Sequence, residues 1–287
     1  MTERDIRQGA DHQRYYSREP VGPRAAAAMD TDALRENFHL GDLFAPSSIT
    51  LAYTHYDRMV VGGAVPLDAP LALGPVKSAG TERFLDRREL IAVNIGQAGT
   101  VRVAEETHAL GPRDMIYVGM GETVSFASED ANDPARFYLL SAPAHRACPT
   151  RLLTIGGAKR LDLGSQATSN ERSIFQFTNG IDTCQLVVGL TQLAEGSVWN
   201  TMPAHLHDRR MEAYLYLGLN ENARVFHFMG EPAETRHIVM RNEEAVLSPP
   251  WSIHSGCGTA NYAFVWAMAG DNVDYTDVDP VPIETMR

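Results

Sequence analysis

The sequence predicts a mainly β protein built from two barrel-like units, led by an N-terminal arm and one short helix. Three observations carry that expectation. Short runs rich in β-branched and aromatic residues are punctuated by Gly, Pro and Asp almost throughout the chain. Helical spacing is clear near the N-terminus and then fades. A ten-residue pattern also recurs: Asp86 to Ile95 reads DRRELIAVNI and Asp208 to Leu217 reads DRRMEAYLYL.

Residues 1–30 read as an arm, because SREPVGPRAAAAMD carries two prolines and an alanine run. The helix follows in DTDALRENF, where Asp30 or Thr31 can cap and Leu34 and Phe38 repeat at helical spacing. Strand-like runs then succeed one another: SITLAYTHYDRMVVGG, ELIAVNIGQAGTVRV, DMIYVGMGETVSFAS and ARFYLLSA. The second half repeats the style in TCQLVVGLTQLAEGSVW, MEAYLYLGL, ARVFHFMG, RHIVMRNEEAVLSP and NYAFVWAMAG. Each copy of the repeat is followed by a strand, a turn, a strand ending in a Gly or Pro corner, and an aromatic strand. The expected units are residues 31–165 and 166–287.

Composition narrows the function. The 287 residues are 44% hydrophobic and 21% charged, ample for a buried core and too apolar for disorder. There is no apolar run of membrane-spanning length, and the polar start MTERDIRQGADHQRYYSREP does not read as an export signal. The formal charge of -11 argues against nucleic acid or an anionic membrane as partner. Three scattered cysteines suit reduced thiols in a cytoplasm. Of the 25 basic residues only Lys77 and Lys159 are lysines. Schiff-base chemistry therefore has few candidates, while guanidiniums that can grip a carboxylate are plentiful.

The chemistry gathers in HLHDRRMEAYLY, His205 to Tyr216. In a strand, residues two apart share a face, so His205 and His207 present two imidazoles roughly 6–7 Å apart along the chain. Glu212 has the opposite parity and joins them only if DRRM is a turn and Glu212 opens the next antiparallel strand. A fourth ligand is available from PPWSIHSG, where prolines and a glycine hold His254 in a corner between strands. Three neutral nitrogens and one carboxylate leave room for water or substrate, the pattern of an open, catalytic metal site. The first copy reads ERFLDRRE where the second reads HLHDRRME, so the site belongs to the second unit. His12, His39, His55, His108, His145 and His227 have no such partners; His237, in ETRHIVMRNEE, suits either a pocket or a cross-strand contact.

His-x-His-x4-Glu followed about forty residues later by a histidine in a Pro/Gly corner resembles the cupin pattern. THYDRMVVGG, FLDRRELIAVNIG, DMIYVGMG, APAHRACPT, TSNERSI, GSVWNTMPAHLHDRRMEAYLYL, ETRHIVM and SPPWSIHSGCGT together resemble the bacterial 5-keto-4-deoxyuronate isomerase family. The resemblance runs from about Asp30 to the C-terminus, with a weaker match at RDIRQ and a longer arm between about residues 10 and 30. It implies two cupin-like β-barrel (double-stranded β-helix) units, the first without metal ligands, and a homohexamer in bacterial breakdown of pectin and related polyuronides. The family's zinc ligands carry over onto His205, His207, Glu212 and His254, with one Zn2+ per subunit; Fe2+ and Mn2+ suit the same donors.

The reaction so implied is the aldose–ketose isomerisation of 4-deoxy-L-threo-5-hexosulose uronate to 3-deoxy-D-glycero-2,5-hexodiulosonate. Candidates for moving the proton are Glu212 and hydroxide at its metal, His237, Glu243 and Glu244. Candidates for gripping the substrate are Arg172, Arg209, Arg210, Arg236 and Tyr214, although Arg209 and Arg210 in a turn would equally suit solvent-facing charge. Two other readings share the ligand set: an Fe(II) cupin dioxygenase, and a sugar-binding cupin without turnover.

Overall fold

A computed structural model describes residues 7–8 and 12–287. Strands dominate, and the chain divides into two compact units that are interleaved in sequence. The first comprises residues up to Arg18, Asp42–Ala158 and Phe177–Leu186; the second comprises Glu19–Gly41, Lys159–Gln176 and Val187–Arg287. The contiguous blocks 31–165 and 166–287 therefore differ from the units at three places. Residues 159–165 go to the second unit because strand Lys159–Leu163 pairs with strand Arg172–Gln176. Residues 31–41 go to the second unit because strand His39–Leu40 pairs with strand Glu244–Ser248, Leu40 opposite Ala245. Residues 177–186 go to the first because the backbone N–H groups of Cys184, Gln185 and Leu186 all donate to the Glu89 carboxylate, at 2.7, 2.7 and 2.8 Å. Backbone-to-carboxylate and edge-strand pairings of this kind leave no periodic trace in a sequence.

The expected arm is ordered over its described part. Gln13–Arg18 is a strand, parallel to Ser48–Thr54. Pro23–Ala27 is a short helix of the second unit, where Trp251 Nε1 donates to the Val21 carbonyl at 3.1 Å. Most of the RDIRQ match lies outside the described residues; its last two, Arg7–Gln8, form a strand. The expected helix runs Thr31–Phe38, with the Asp30 carboxylate accepting from Ala33 N and with Leu34 and Phe38 buried.

Each unit contains one large and one four-stranded antiparallel sheet, apart from the parallel pair just named. In the first, neighbouring strands of the large sheet run Ser48–Thr54, Val60–Val65, Phe137–Pro143, Arg88–Asn94 and Met115–Val118. In the second, the order is Arg172–Gln176, Val187–Leu193, Ala263–Gly270, Arg210–Leu217 and Glu244–Ser248. The recurring DRR segment opens the fourth strand of each series, so the sequence echo is a topological one. Its last arginine is buried in both copies. Arg88 donates to the carbonyls of Arg58 in a loop and Ser141 in a strand, and Arg210 to the loop carbonyls of Asp274 and Asp277, so each guanidinium is held by backbone oxygens.

The interiors differ in chemistry. Where the second unit has His207 and Glu212, the aligned positions of the first are Leu85 and Leu90, both in an apolar core with Ile49, Val101, Phe126 and Phe137. Burying such side chains stabilises a barrel by roughly 1.5–3 kcal/mol each and leaves nothing to bind an ion.

Candidate metal centre

Three segments of the second unit meet at one end of its interior. His205–Leu206 is a two-residue strand paired with Asp279–Pro280. The chain turns at His207–Arg209 and enters strand Arg210–Leu217, where Glu212 sits third and faces Met268 on one side and Ser248 on the other. The turn is shorter than DRRM would make it, since Arg210 already belongs to the strand; the parity change that frees Glu212 to join the histidines is the one expected. His254 ends the corner after strand Glu244–Ser248, and that corner is pinned by Ser252 Oγ, which accepts from Gly230 N at 2.9 Å.

The four side chains converge. Their ligand atoms all lie within 4.8 Å of one another, and among the described residues no other such group occurs. His205 Nε2 stands 3.1 Å from His207 Nε2 and 2.9 Å from His254 Nε2, while Glu212 Oε2 stands 3.0 and 2.9 Å from the nitrogens of His207 and His254. Neighbouring ligand atoms on one ion with bonds of about 2.0–2.1 Å are about 2.8–3.4 Å apart, so the spacing fits a common ion. The rings of His207 and His254 stack at 9° with His205 edge-on to both.

Electrostatics agrees with geometry. Glu212 Oε2 is buried and, although two ring nitrogens lie so near, makes no well-directed hydrogen bond. A buried carboxylate oxygen left in this way is costly unless a cation meets it. Burial alone would raise the Glu212 carboxyl, but His254 and His207 outweigh it and hold its pKa well below the ordinary value. Burial, with His254 beside it, pushes His205 down to about 3, so its ring is a neutral donor across the physiological range. His207 Nδ1 donates to the Asp277 carbonyl at 2.9 Å, which leaves Nε2 as a lone pair facing the centre.

Beside the group opens a cavity of about 310 Å³, walled by Thr191, Phe264, Trp266, Met268, Tyr275 and Val278 among others. Of the sequence-predicted residues, His205, His207, Glu212, Tyr214 and Arg172 line it. Tyr214 shares a hydrogen bond of 3.1 Å with Thr201, and burial holds its hydroxyl well above the ordinary pKa, so it keeps its proton.

The other candidates lie elsewhere. Arg209 is clamped to Asp277 at 2.6 Å and Asp279 at 2.8 Å. Arg210 is fully buried on loop carbonyls and does not face solvent. Arg236 donates to Glu234 and to the Ala27 carbonyl on an outer hairpin, and His237 is exposed on that hairpin near Phe226. Glu243 stands in a turn with a left-handed backbone, φ 60°, and Glu244 pairs with His39 at 2.9 Å. Glu244 faces Tyr216, four residues from Glu212 and thus roughly 13 Å along the strand. Sequence reasoning missed Thr201, Trp266, Tyr275 and Asp277. Phe264, Trp266 and Met268 alternate along one strand, a period-two signal that marks them as one face. Nothing local marks Tyr275 or Asp277 in the acidic tail.

Residues 48–281 match the KduI/IolB family. The chain belongs to that family. Among its relatives, the 4-deoxy-L-threo-5-hexosulose-uronate ketol-isomerase 2 of Rhizobium meliloti (strain 1021) is 69% identical, over 97% of this chain and 99% of its own. The 4-deoxy-L-threo-5-hexosulose-uronate ketol-isomerase of Cereibacter sphaeroides (strain ATCC 17029 / ATH 2.4.9) is 60% identical, over 94% of this chain and 98% of its own. Solved structures share the fold alone. An IolB-like protein from Salmonella typhimurium LT2 superposes with TM-score 0.63 at 15% identity, covering 78% of this chain and 86% of that one. An oxalate decarboxylase of Bacillus subtilis gives 0.54 at 10% identity, covering 77% and 71%. The mainly β, cupin-like fold class expected from the strand-like runs and the His-x-His-x4-Glu pattern is the observed one.

Proposed function

We propose that the protein is a metal-dependent ketol-isomerase that converts 4-deoxy-L-threo-5-hexosulose uronate to 3-deoxy-D-glycero-2,5-hexodiulosonate. The observation that carries this reading is the placement of three imidazoles and a carboxylate at one end of a cavity sized for a small sugar acid. Relatives bearing that activity's name match nearly the whole chain.

His205, His207, Glu212 and His254 would hold the ion, one per subunit, and zinc suits the task because it has no redox chemistry to divert the reaction. When bound, a divalent ion supplies Lewis-acid stabilisation, worth several kcal/mol, of the charge that develops on the substrate's aldehyde and neighbouring hydroxyl oxygens. In the reaction a proton leaves the carbon beside the aldehyde and a proton returns to the aldehyde carbon, giving a ketone and a primary alcohol. Tyr214, protonated and braced by Thr201, can donate to a substrate oxygen at that end. Phe264, Trp266 and Met268 keep water from the cavity wall, which protects a reactive enediol and strengthens each polar contact.

The setting is part of the same proposal: a cytoplasmic homohexamer in the breakdown of pectin and related polyuronides. Three free cysteines and the absence, among the described residues, of a helix long and apolar enough to cross a membrane accord with it.

The decisive experiment is anaerobic turnover of the deoxy-keto-uronate in deuterated buffer, followed by NMR, for the zinc-loaded protein and Glu212→Gln. Conversion that collapses in the variant supports the reading, and deuterium in the product adds exchange with solvent. Metal-replete protein that leaves the substrate unchanged without oxygen overturns it.

A further inference from the structure

Among the described residues, Arg172 is the one cationic side chain on the cavity wall outside the histidine group. It opens strand Arg172–Gln176, whose alternation puts Arg172, Ile174 and Gln176 on one face, and all three line the cavity. The strand is hydrogen-bonded on both sides, to Lys159–Leu163 and to Val187–Leu193, so the base of the side chain is rigid.

The guanidinium is half-buried, and its surroundings are unusual for a buried cation. Among the described residues its one hydrogen bond runs from Nη1 to the Asn170 carbonyl at 2.9 Å, and no carboxylate lies within ion-pair reach. The other arginines considered for the site lie off the cavity wall. Arg209 has two aspartates, Arg210 two carbonyls, and Arg236 a glutamate. A guanidinium carries five N–H donors in a planar fork that matches a carboxylate. Holding one partly desolvated without a counter-ion costs free energy, which a ligand carboxylate in the cavity would offset. The acidic side chain in the cavity, Glu212, is taken up by the imidazole group.

We propose that Arg172 is the carboxylate anchor of the cavity, gripping the acid group of an open-chain sugar acid whose other end lies at His205, His207, Glu212 and His254. The orientation rests on the isomerase reading; the carboxylate subsite does not. The anchor selects acids over neutral sugars of equal length, because a neutral ligand would leave the half-buried guanidinium without a counter-ion.

Two measurements on the zinc-loaded protein test this. Gluconate and glucitol, which differ at one end as acid and alcohol and do not isomerise, are titrated into wild type, Arg172→Gln and Arg172→Lys by calorimetry, with zinc content and melting temperature checked for each. Wild type is expected to prefer gluconate by about 10- to 150-fold, the span that one charged hydrogen bond of about 1.5–3 kcal/mol converts to. Arg172→Gln should lose that preference and Arg172→Lys should recover part of it, since lysine keeps the charge without the fork. In turnover, Arg172→Gln should raise KM for the deoxy-keto-uronate by a similar factor and lower kcat much less. A gluconate preference that survives in Arg172→Gln, or a wild type that does not bind gluconate, overturns the anchor. Loss of preference in Arg172→Gln with a wild type inactive on the uronate keeps the anchor and removes the isomerase reading.

Discussion

The backbone carbonyl of Asp277 accepts from His207 Nδ1 at 2.9 Å and from Arg210 Nη2 at 2.8 Å, so one oxygen ties a ligand histidine to a buried arginine. The Asp277 carboxylate meanwhile binds Arg209, which holds its pKa down to about 2. The loop that supplies Tyr275 and Val278 to the cavity is thus fastened by the DRR segment next to the ligands. Arg209 and Arg210 act on the ligand group through this loop.

Arg210→Met should therefore weaken metal binding without touching a ligand. The outer partners of ligating histidines are worth about 10- to 100-fold in metal affinity. Competition with a chelator, read as zinc released against chelator concentration, is expected to show a loss in that range in folded protein. Unchanged retention would mean the loop holds His207 without its arginine.

Gly189 has a predictable substitution effect. It lies opposite Trp266 on the neighbouring strand, and a Cβ there would stand 2.1 Å from the indole ring. The indole is also held by Thr191, to which Nε1 donates at 3.1 Å. Gly189→Ala should displace Trp266 from the cavity wall, destabilise the protein by about 1–3 kcal/mol and raise KM. Denaturant unfolding and steady-state kinetics on one preparation check both.

Glu89 organises residues 177–186 of the first unit. It is fully buried, accepts three backbone N–H groups and is hydrogen-bonded by Tyr117 at 2.8 Å. Glu89→Gln removes the charge and replaces one accepting oxygen by a donor that faces other donors. A loss of about 3 kcal/mol is expected, seen as a lower denaturation midpoint at unchanged slope. Amide exchange at Cys184, Gln185 and Leu186 should accelerate in the same variant.

Glu244 sets a pH dependence. Burial would raise its carboxyl, but the His39 ring and the Arg241 N–H outweigh that and bring the pKa below the ordinary value of 4.5. The lowered folded-state value means that the pair stabilises the protein above about pH 4.5 and that this contribution fades as pH falls through the folded pKa. Glu244→Gln should melt about 2–4 °C below wild type at pH 6, for a contribution of about 1 kcal/mol, and the gap should narrow as pH falls from 4.5 through the folded-state pKa. Thermal melts across that range decide it, and turnover should change little because Glu244 is outside the cavity.

The amino-acid sequence by itself determined the β class, the helix cap at Asp30, the repeat and the four residues that converge. Each is written in short-range terms: period-two alternation, a capping residue, a ten-residue echo, and histidines whose parity with Glu212 demanded a turn. Only the tertiary structure decided which arginine faces the cavity. Arg172, Arg209, Arg210 and Arg236 are alike in type and all near the motifs, yet three of them are held off the cavity wall by partners that include residues far along the chain, from Asp274, Asp277 and Asp279 to Ala27. The same holds for His237, Glu243 and Glu244, whose place depends on where a hairpin and an edge strand end up. It holds also for the interleaving of the two units, because the pairings that assign residues 19–41 and 177–186 are long-range hydrogen bonds without periodicity. Local spacing can say which side chains share a face; which charge is left without a partner is a property of the whole packed molecule.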